Sequence, residues 1–338
     1  MKESIEKAIK AIEENPPTRP IKIISHFDSD GITSAAIFSR AMERWKKKFS
    51  LQIVKGLDES FIESLPEDVL LIFLDLGSGS LHHFKKKKNK IIILDHHEVV
   101  DSIPENVLMV NPVVEKLESM SGAAICYLFA KALSPHNKDL ATLAVIGMVG
   151  DSMEKNLTKT YDEILKDAET TVRKGLLVYP STRPLDKVLE YSSNPYIPGV
   201  TSSYAGTLEL LREANISKQD GRFKAIYELS EEEMSNLITA VMLRCVGKKS
   251  MHEILGNIYL VKFFNKLEDA RELSALINAC SRMDQPNVSL GFCLGNKQYK
   301  EEAEKIYISY KQNLVSALKY IAEAEKISGK QYTIINGK

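Results

Sequence analysis

The sequence predicts an α/β protein in which a parallel sheet is followed by a helical linker and a smaller second α/β unit. Three observations support this fold class. Apolar strand-like segments alternate with helical segments over the first half of the chain, the densest turn signal lies at residues 192–199, and a second alternation begins near Gly256. Because 338 residues exceed one ordinary core, we expect a first domain at 1–190, a linker and helical connector at 191–253, and a C-terminal domain at 254–338.

The elements of the first half follow from the spacing of apolar residues. A first helix should end at Asn15-Pro16-Pro17, and a second has Ile32, Ala35, Ala36, Ser39 and Met42 on one stripe. Continuous apolar runs bounded by charged turns indicate strands that are buried on both faces. The predicted helices are 3–14, 32–48, 121–133 and 138–150, and the predicted strands are 21–25, 51–54, 69–74, 91–94 and 107–110.

The second half has a different character. Residues 204–245 have helical periodicity, and Ser230 with Glu233 resembles a capping box that opens a helix running through Arg244. The unit that begins near Gly256 is predicted to contain a strand at 257–261, a helix at 267–280, a strand at 288–293, a long helix at 299–326 and a strand near 332–335.

Composition excludes some classes of function. Lys+Arg and Asp+Glu both number 45, so no net charge draws the chain toward nucleic acid or anionic membrane. The amino terminus is too charged for a signal peptide, and no apolar run approaches the roughly 18–20 residues of a membrane span. We therefore expect a cytoplasmic protein without membrane association. The four cysteines lack C-x-x-C spacing, which predicts buried, reduced thiols.

Four predicted elements end in acids or imidazoles. The segments that follow them are Asp95-His96-His97 after residue 94, His26-Phe27-Asp28-Ser29-Asp30-Gly31 after residue 25, Asp75 after residue 74, and Asp151 after the helix at 138–150. The carboxyl ends of parallel strands share one edge of a sheet, where ligands gather. Mixed carboxylates and imidazoles suit Mn²⁺ or Mg²⁺, and imidazole favours Mn²⁺. The pattern predicts a two-metal hydrolytic site.

These motifs resemble the DHH phosphoesterase superfamily, and within it the RecJ-like single-strand nucleases, especially the compact archaeal members. The resemblance rests on His26-x-Asp28-x-Asp30-Gly31, Asp75, Asp95-His96-His97 and Gly147-x-x-Gly150-Asp151, which occur in the family's order. Supporting matches are Asn111-Pro112 and Ser121-Gly122. Residues 277–283 and 290–295 resemble the family's DHH-associated substrate domain, which is a weaker signal. The first half is thus expected to be a DHH catalytic domain, and the C-terminal unit a substrate-binding domain.

The resemblance implies a role for each site residue. One metal is held by His26 and Asp28, the other by Asp30, His96 and Asp151, and Asp75 bridges the two. Among the catalytic residues Asp75, Asp95 and His97, Asp95 orients the adjacent loop or a ligand imidazole, and His97 contacts phosphate or a ligand side chain. The expected substrate-binding residues are Arg282, Asn278, Arg244 and Lys248. For Arg282, a bidentate grip on a backbone phosphate and an interdomain salt bridge both remain open.

The implied function is a Mn²⁺-dependent exonuclease, with Mg²⁺ as a substitute, that hydrolyses the phosphodiester bonds of single-stranded DNA or also of RNA. Such an enzyme acts in DNA repair or replication-fork processing. The bacterial nucleases degrade from the 5′ end, while compact archaeal relatives include enzymes that degrade from the 3′ end, and we expect 3′→5′ degradation.

Three other functions stay open, the second of them more distant than the others. Phosphodiesterases for short oligonucleotides or nucleotide phosphates usually read His-x-x-Pro-Asp-x-Asp in the first motif, which differs from His26-Phe27-Asp28-Ser29-Asp30. A manganese pyrophosphatase is a more distant relative. A non-cutting scaffold that binds a fork-processing helicase or a replication-helicase complex would keep the fold. The lysine runs at 46–48 and 85–88 are solvated helix ends or contacts to nucleic acid.

Overall fold

The first part of the chain forms a five-stranded sheet with helices on both faces. The computed structural model describes residues 1–155, 157–192, 195–245, 254–324, 326–329 and 331–335. Its first elements are α1 (Lys2–Glu13), β1 (Ile21–His26), α2 (Ser29–Arg44), β2 (Phe49–Val54), α3 (Glu59–Ser64), β3 (Leu70–Leu74), α4 (Leu81–Phe84), β4 (Ile91–Leu94), β5 (Val107–Val110), α5 (Gly122–Leu133) and α6 (Ala141–Gly150). The strand order is β2-β1-β3-β4-β5 with every neighbouring pair parallel, which confirms the predicted α/β sheet.

The two central strands are buried on both faces. Successive side chains of a strand point to opposite sides, so Ile72 and Ile92 enter one core while Phe73 and Ile93 enter another. This explains why these strands are unbroken apolar runs. The register aligns the ends of β3 and β4, and the Asp75 N–H donates to the Leu94 carbonyl at 2.8 Å. The residues that follow both strands therefore emerge side by side.

The second half of the chain contains an antiparallel sheet. Its elements are α7 (Lys159–Asp167), β6 (Thr171–Leu176), α8 (Leu185–Glu190), α9 (Tyr204–Glu213), α10 (Glu231–Arg244), β7 (Leu255–Phe263), β8 (Lys266–Asp269), α11 (Ala270–Arg282), α12 (Pro286–Cys293), α13 (Lys297–Glu323), β9 (Lys326–Ser328) and β10 (Thr333–Ile335). The sheet order is β6-β7-β8. Helices α8 to α10 share a separate core with β6 and β7, whereas helices α7 and α11 to α13 add buried residues to the core of the first part. The expected capping box of α10 is confirmed, because Ser230 N–H donates to Glu233 and Glu233 N–H to the Ser230 hydroxyl.

The predicted strand at 288–293 is wrong, because these residues form helix α12. A short apolar run cannot be assigned by periodicity alone, and Pro286 occupies the first helical turn, where proline is favoured. Strands β6 and β8 were not predicted. The helix expected at 267–280 begins instead at Ala270, since Asp269 caps it by accepting from the Arg271 N–H at 2.9 Å.

Two further expectations concern cysteines and membranes. All four cysteines are buried and free, as predicted. Within the described ranges, no helix has the length and hydropathy needed to span a bilayer. Ser193 and Asn194 of the predicted turn lie outside the described residues.

Candidate metal centre

The turn between β1 and α2 carries three of the predicted ligands. Asp28 caps α2, with Oδ1 accepting from the Gly31 N–H at 2.9 Å, while its Oδ2 lies 3.0 Å from Nδ1 of His26. A Cβ at Gly31 would lie 2.4 Å from the His26 carbonyl oxygen. Glycine is therefore needed here for close approach. Backbone freedom is not the reason, because Gly31 is not among the glycines with positive φ.

Asp30 points away from Asp28, into the amino end of α5. Its Oδ2 accepts from the Gly122 N–H at 2.6 Å and its Oδ1 from the Ala123 N–H at 2.9 Å. These amides have no partner within their own helix, which makes a helix amino end a natural place for an anion. Burial nevertheless raises the pKa of Asp30 well above its ordinary value, and the nearby Asp75 adds to this. The hydrogen bonds from Gly122 and Ala123 therefore do not fully compensate for burying the Asp30 carboxylate.

Asp75 lies between the two imidazoles of the site. Its Oδ1 is 3.3 Å from Nε2 of His96, and its Oδ2 is 3.7 Å from Nδ1 of His26. The side chain is 2% exposed. The backbone has φ +58°, a left-handed conformation that costs a residue with a side chain about 1–3 kcal/mol. A strained and buried acid at the end of a strand is typical of a functional position.

The carboxylate of Asp95 is used by its own loop. Oδ2 accepts from the Ser78 N–H at 2.9 Å, while Oδ1 accepts from the His96 N–H at 2.8 Å and lies 2.7 Å from Nδ1 of His97. Burial acts to raise the pKa of Asp95, but His97 and the Ser78 amide outweigh it and hold the pKa far below its usual range. The hydrogen bond to Asp95 in turn raises the pKa of His97 to about 9. Asp95 thus fixes the orientation of His97, whose side chain is half exposed.

The imidazole of His96 lies close to three carboxylates of the site. Its Nε2 lies 3.3 Å from Asp75, 3.7 Å from Asp151 and 3.8 Å from Asp30. Burial acts to lower its pKa, but the Asp75 and Asp30 carboxylates outweigh this and raise the pKa to about 9. Asp151 caps the carboxyl end of α6, where the helix dipole disfavours negative charge, and burial raises its pKa. One imidazole therefore faces three acids.

The potential ligand atoms fall into overlapping groups. Within each group the atoms lie within 4.8 Å of one another, and the groups are His26/Asp28/Asp75, Asp30/His96/Asp151 and Asp75/Asp95/His96/His97. Nδ1 of His26 and Oδ1 of Asp75 are buried and have no hydrogen-bond partner among the described residues, although both lie near charged atoms. Leaving such atoms unsatisfied is costly. Buried carboxylates and imidazoles with unused donor atoms fit two divalent cations such as Mn²⁺ or Mg²⁺.

The residues expected to bind substrate are more scattered. Asn278 lies on α11, and its Oδ1 accepts from the Ser29 N–H at 2.8 Å, so it touches the ligand-bearing turn. Arg282 lies at the end of the same helix and donates to the hydroxyl of Tyr310 at 3.2 Å. Arg244 is ion-paired with Glu213, and Lys248 lies outside the described residues.

The structure also separates the tetra-lysine run from the site and shows which residues hold the Asp95 loop. Residues 85–88 precede β4, so they lie at the sheet edge opposite the metal-binding residues. The amide of Ser78 and the side chain of Asn111, which donates to the His97 carbonyl at 3.0 Å, hold the Asp95 loop. Ser78 carries no sequence signal that distinguishes it from other serines.

Comparison with known families agrees with this site. Residues 20–148 match the DHH family, N-terminal domain, and residues 179–257 match the DHH-CID domain. With the buried histidine and aspartate cluster at the sheet edge, these matches define the class as metal-dependent phosphoesterases. Together the two matches span more than half of the chain. The protein is a RecJ-like member of the DHH superfamily.

Two curated relatives show how far the similarity extends. The uncharacterized protein MJ0831 of Methanocaldococcus jannaschii is 28% identical over 334 residues, covering 94% of this chain and 74% of that protein. The single-stranded-DNA-specific exonuclease RecJ of Bacillus subtilis is 26% identical over 167 residues, covering 45% of this chain and 21% of that nuclease. The match to the nuclease therefore involves only a small part of it.

Two solved structures share the fold over nearly the whole chain. Exonuclease RecJ bound to manganese has a TM-score of 0.56 at 15% identity, covering 96% of this chain and 70% of that one. CDC45 from Entamoeba histolytica has a TM-score of 0.68 at 14% identity, covering 96% and 75%. At such identities the likeness shows the fold alone.

Proposed function

We propose that the protein is a Mn²⁺-dependent exonuclease that hydrolyses the phosphodiester bonds of single-stranded DNA in the 3′→5′ direction, with RNA as a further substrate. The observation that carries the proposal is the pair of buried ligand groups that meet at Asp75 and His96. His26 and Asp28 would hold one ion, Asp30, His96 and Asp151 the other, and Asp75 would serve both. Mg²⁺ would substitute less well.

The residues around the metal positions have distinct tasks. When bound, two divalent cations lower the pKa of a water and neutralise charge on the attacking and leaving oxygens. Asp75 is held between His26 and His96 by its buried, strained backbone. His97 has Nδ1 fixed by Asp95, so its other ring nitrogen is the one left to contact a phosphate oxygen of the substrate.

The second half of the chain would bind the single-stranded nucleic acid. Arg282 and Asn278 lie on α11, the helix that touches the metal-binding turn, so they are the proposed phosphate contacts. Arg244 and Lys248 remain weaker proposals, since Arg244 would have to leave Glu213 to reach a phosphate. Phosphate contacts carry no base identity, so cleavage should be independent of sequence. We place this activity in the cytoplasm, in DNA repair or replication-fork processing.

A scaffold role is the second candidate. It is suggested by the fold that the chain shares with CDC45 from Entamoeba histolytica over 96% of its length, which is an argument from analogy of fold. In this role the protein would dock on a fork-processing helicase or a replication-helicase complex. Because the histidine and aspartate cluster is intact, docking and cutting can coexist.

The test uses strands of about 30 nucleotides labelled separately at each end, incubated with Mn²⁺, with Asp75→Ala as the control. Mononucleotides released first from the 3′ label, and absent with the variant, would support the proposal. Mononucleotides released first from the 5′ label would show that degradation runs 5′→3′ instead. Survival of long strands with loss of di- to pentanucleotides would replace the proposal with a short-substrate phosphodiesterase, and no cleavage at any Mn²⁺ concentration would leave the scaffold.

A further inference from the structure

We propose that helix α11 of the second unit braces the metal centre, and that Asn278 is the positioning residue for the turn between Asp28 and Asp30. This inference rests on the proposed function, since it assigns these acids to metal ions. It changes the role of Asn278, because the side chain would act on the metal-binding turn as well as on the substrate.

The first support is the hydrogen bond between Ser29 N–H and Oδ1 of Asn278, at 2.8 Å. Ser29 is the first residue of α2, whose leading amides have no acceptor within their own helix. Ser29 is also buried, at 1% exposure, so an acceptor must come from the protein. Since Ser29 separates Asp28 from Asp30, this bond fixes the peptide that sets the directions of both acids.

The same helix reaches the segment that carries Asp151. A Cβ at Gly150 would lie 2.8 Å from the hydroxyl oxygens of both Ser274 and Ser29, so α6, α11 and the metal-binding turn pack without spare room. On the other side of Asp151, Arg271 donates to Oε1 of the buried Glu154 at 2.7 Å. A single helix outside the parallel sheet thus contacts two of the four ligand-bearing segments.

The two ends of the Asn278 amide allow its roles to be separated. Oδ1 is committed to Ser29, while Nδ2 makes no hydrogen bond to any residue in the described part of the chain. The acceptor is therefore assigned to positioning and the donor to substrate. Asn278→Asp keeps the acceptor and removes the donor, whereas Asn278→Ala removes both.

The experiment titrates the full chain with Mn²⁺ and follows free Mn²⁺ by electron paramagnetic resonance, with Tm measured in parallel without metal. Removing a group that orients metal ligands typically weakens affinity about 10–100-fold, and we expect this for Asn278→Ala. Asn278→Asp keeps the acceptor and adds a negative charge next to the metal-binding turn, so it should bind Mn²⁺ at least as tightly as the wild type. The matched control is Arg40→Gln, which removes another contact between α2 and the second unit, the 2.8 Å bond from Arg40 Nη2 to the Leu294 carbonyl.

Several results would overturn the inference. Asn278→Ala could bind Mn²⁺ as the wild type does, Asn278→Asp could lose affinity equally, or Arg40→Gln could weaken binding as much as Asn278→Ala. If the alanine variant does not fold, Asn278→Leu, which has nearly the same shape and no acceptor, takes its place. A wild-type protein that binds Mn²⁺ but cuts nothing would refute the proposed nuclease, while the titration would still decide the role of Asn278.

Discussion

The metal side, formed by the buried acids, and the proposed substrate side, formed by residues of α10 and α11, are built in different ways. On the metal side, Asp30, Asp75 and Asp95 are buried, and Asp30 and Asp95 are held by backbone amides that cannot swing away. On the substrate side, Arg282 is exposed and has a tyrosine hydroxyl as its partner, and Arg244 is paired with a glutamate. Metal ligands need fixed geometry, whereas contacts to a mobile strand tolerate long side chains.

The difference is also one of electrostatics. Asp30 and Asp151 have raised pKa values because they are buried near other acids, so cations bound on the metal side would stabilise their charged forms. On the substrate side, Arg244 is paired with a carboxylate, whereas the described partner of Arg282 is a neutral hydroxyl. If this contrast holds, substitutions on the metal side should reduce activity more than substitutions on the substrate side.

Asp75→Asn should abolish hydrolysis. Asp75 lies between the two ligand groups, and losing its charge would remove several kcal/mol of stabilisation supplied through the bound ions, or about 10³-fold in kcat. Single-turnover rates with saturating Mn²⁺ measure the effect. The control is Asp284→Asn, an exposed acid paired with Lys55 at 2.6 Å, which should keep near wild-type rates. Similar losses of hydrolysis rate in both variants would mean that the histidine and aspartate cluster is not the catalytic site.

Gly122→Ala should weaken Mn²⁺ binding and stability together. Its Cβ would lie 2.7 Å from both Cβ and Oδ1 of Asp75, so the acid or the start of α5 must shift. Overpacking of this kind costs about 1–3 kcal/mol. Gly56→Ala is the matched control, since no atom lies within 4 Å of its added Cβ. Denaturant unfolding and a Mn²⁺ titration measure both effects, and equal behaviour of the two variants would contradict a tightly packed metal side.

Arg282→Gln should raise KM about tenfold, or about 1.4 kcal/mol, with little change in kcat. Because each lost phosphate contact reduces the salt dependence, the slope of log KM against log salt should fall by about one. Arg244→Gln should change KM less, since its guanidinium is already paired with Glu213. A larger effect for Arg244 would mean that the bound nucleic acid contacts α10 rather than α11.

Glu272→Gln should stabilise the protein only at higher pH. Burial raises the pKa of Glu272 to about 7, against the opposing charges of Arg183 and Lys311. A folded-state pKa raised from 4.5 contributes stability below pH 4.5 that is lost as pH rises through about 7. Glutamine mimics the protonated acid, so the variant should match the wild type near pH 4 and exceed it by about 1–3 kcal/mol at pH 8. A pH-independent difference would contradict this origin.

Sequence reasoning succeeded where a signal was local. The central strands β3 and β4 could be predicted because residues such as Ile91 to Leu94 are buried on both faces and so must all be apolar. The run at 288–293 was misassigned because it is apolar in either conformation, and only its packing in α12 distinguishes the two. Strand β6 was missed, since three of its six residues are exposed and it is held by pairing with β7.

The sequence by itself determined the chemistry that is available, because four apolar elements end in acids and imidazoles, and parallel strands must present their carboxyl ends at one edge. Only the tertiary structure decided how each group is used. Asp30 and Asp95 both follow apolar strands, yet Asp30 faces the amides of α5 while Asp95 is occupied by its own loop. Asn278, 249 residues from Ser29, meets the metal-binding turn only because α11 packs on the first domain. Such contacts depend on helix packing in three dimensions, which no local pattern of residues encodes.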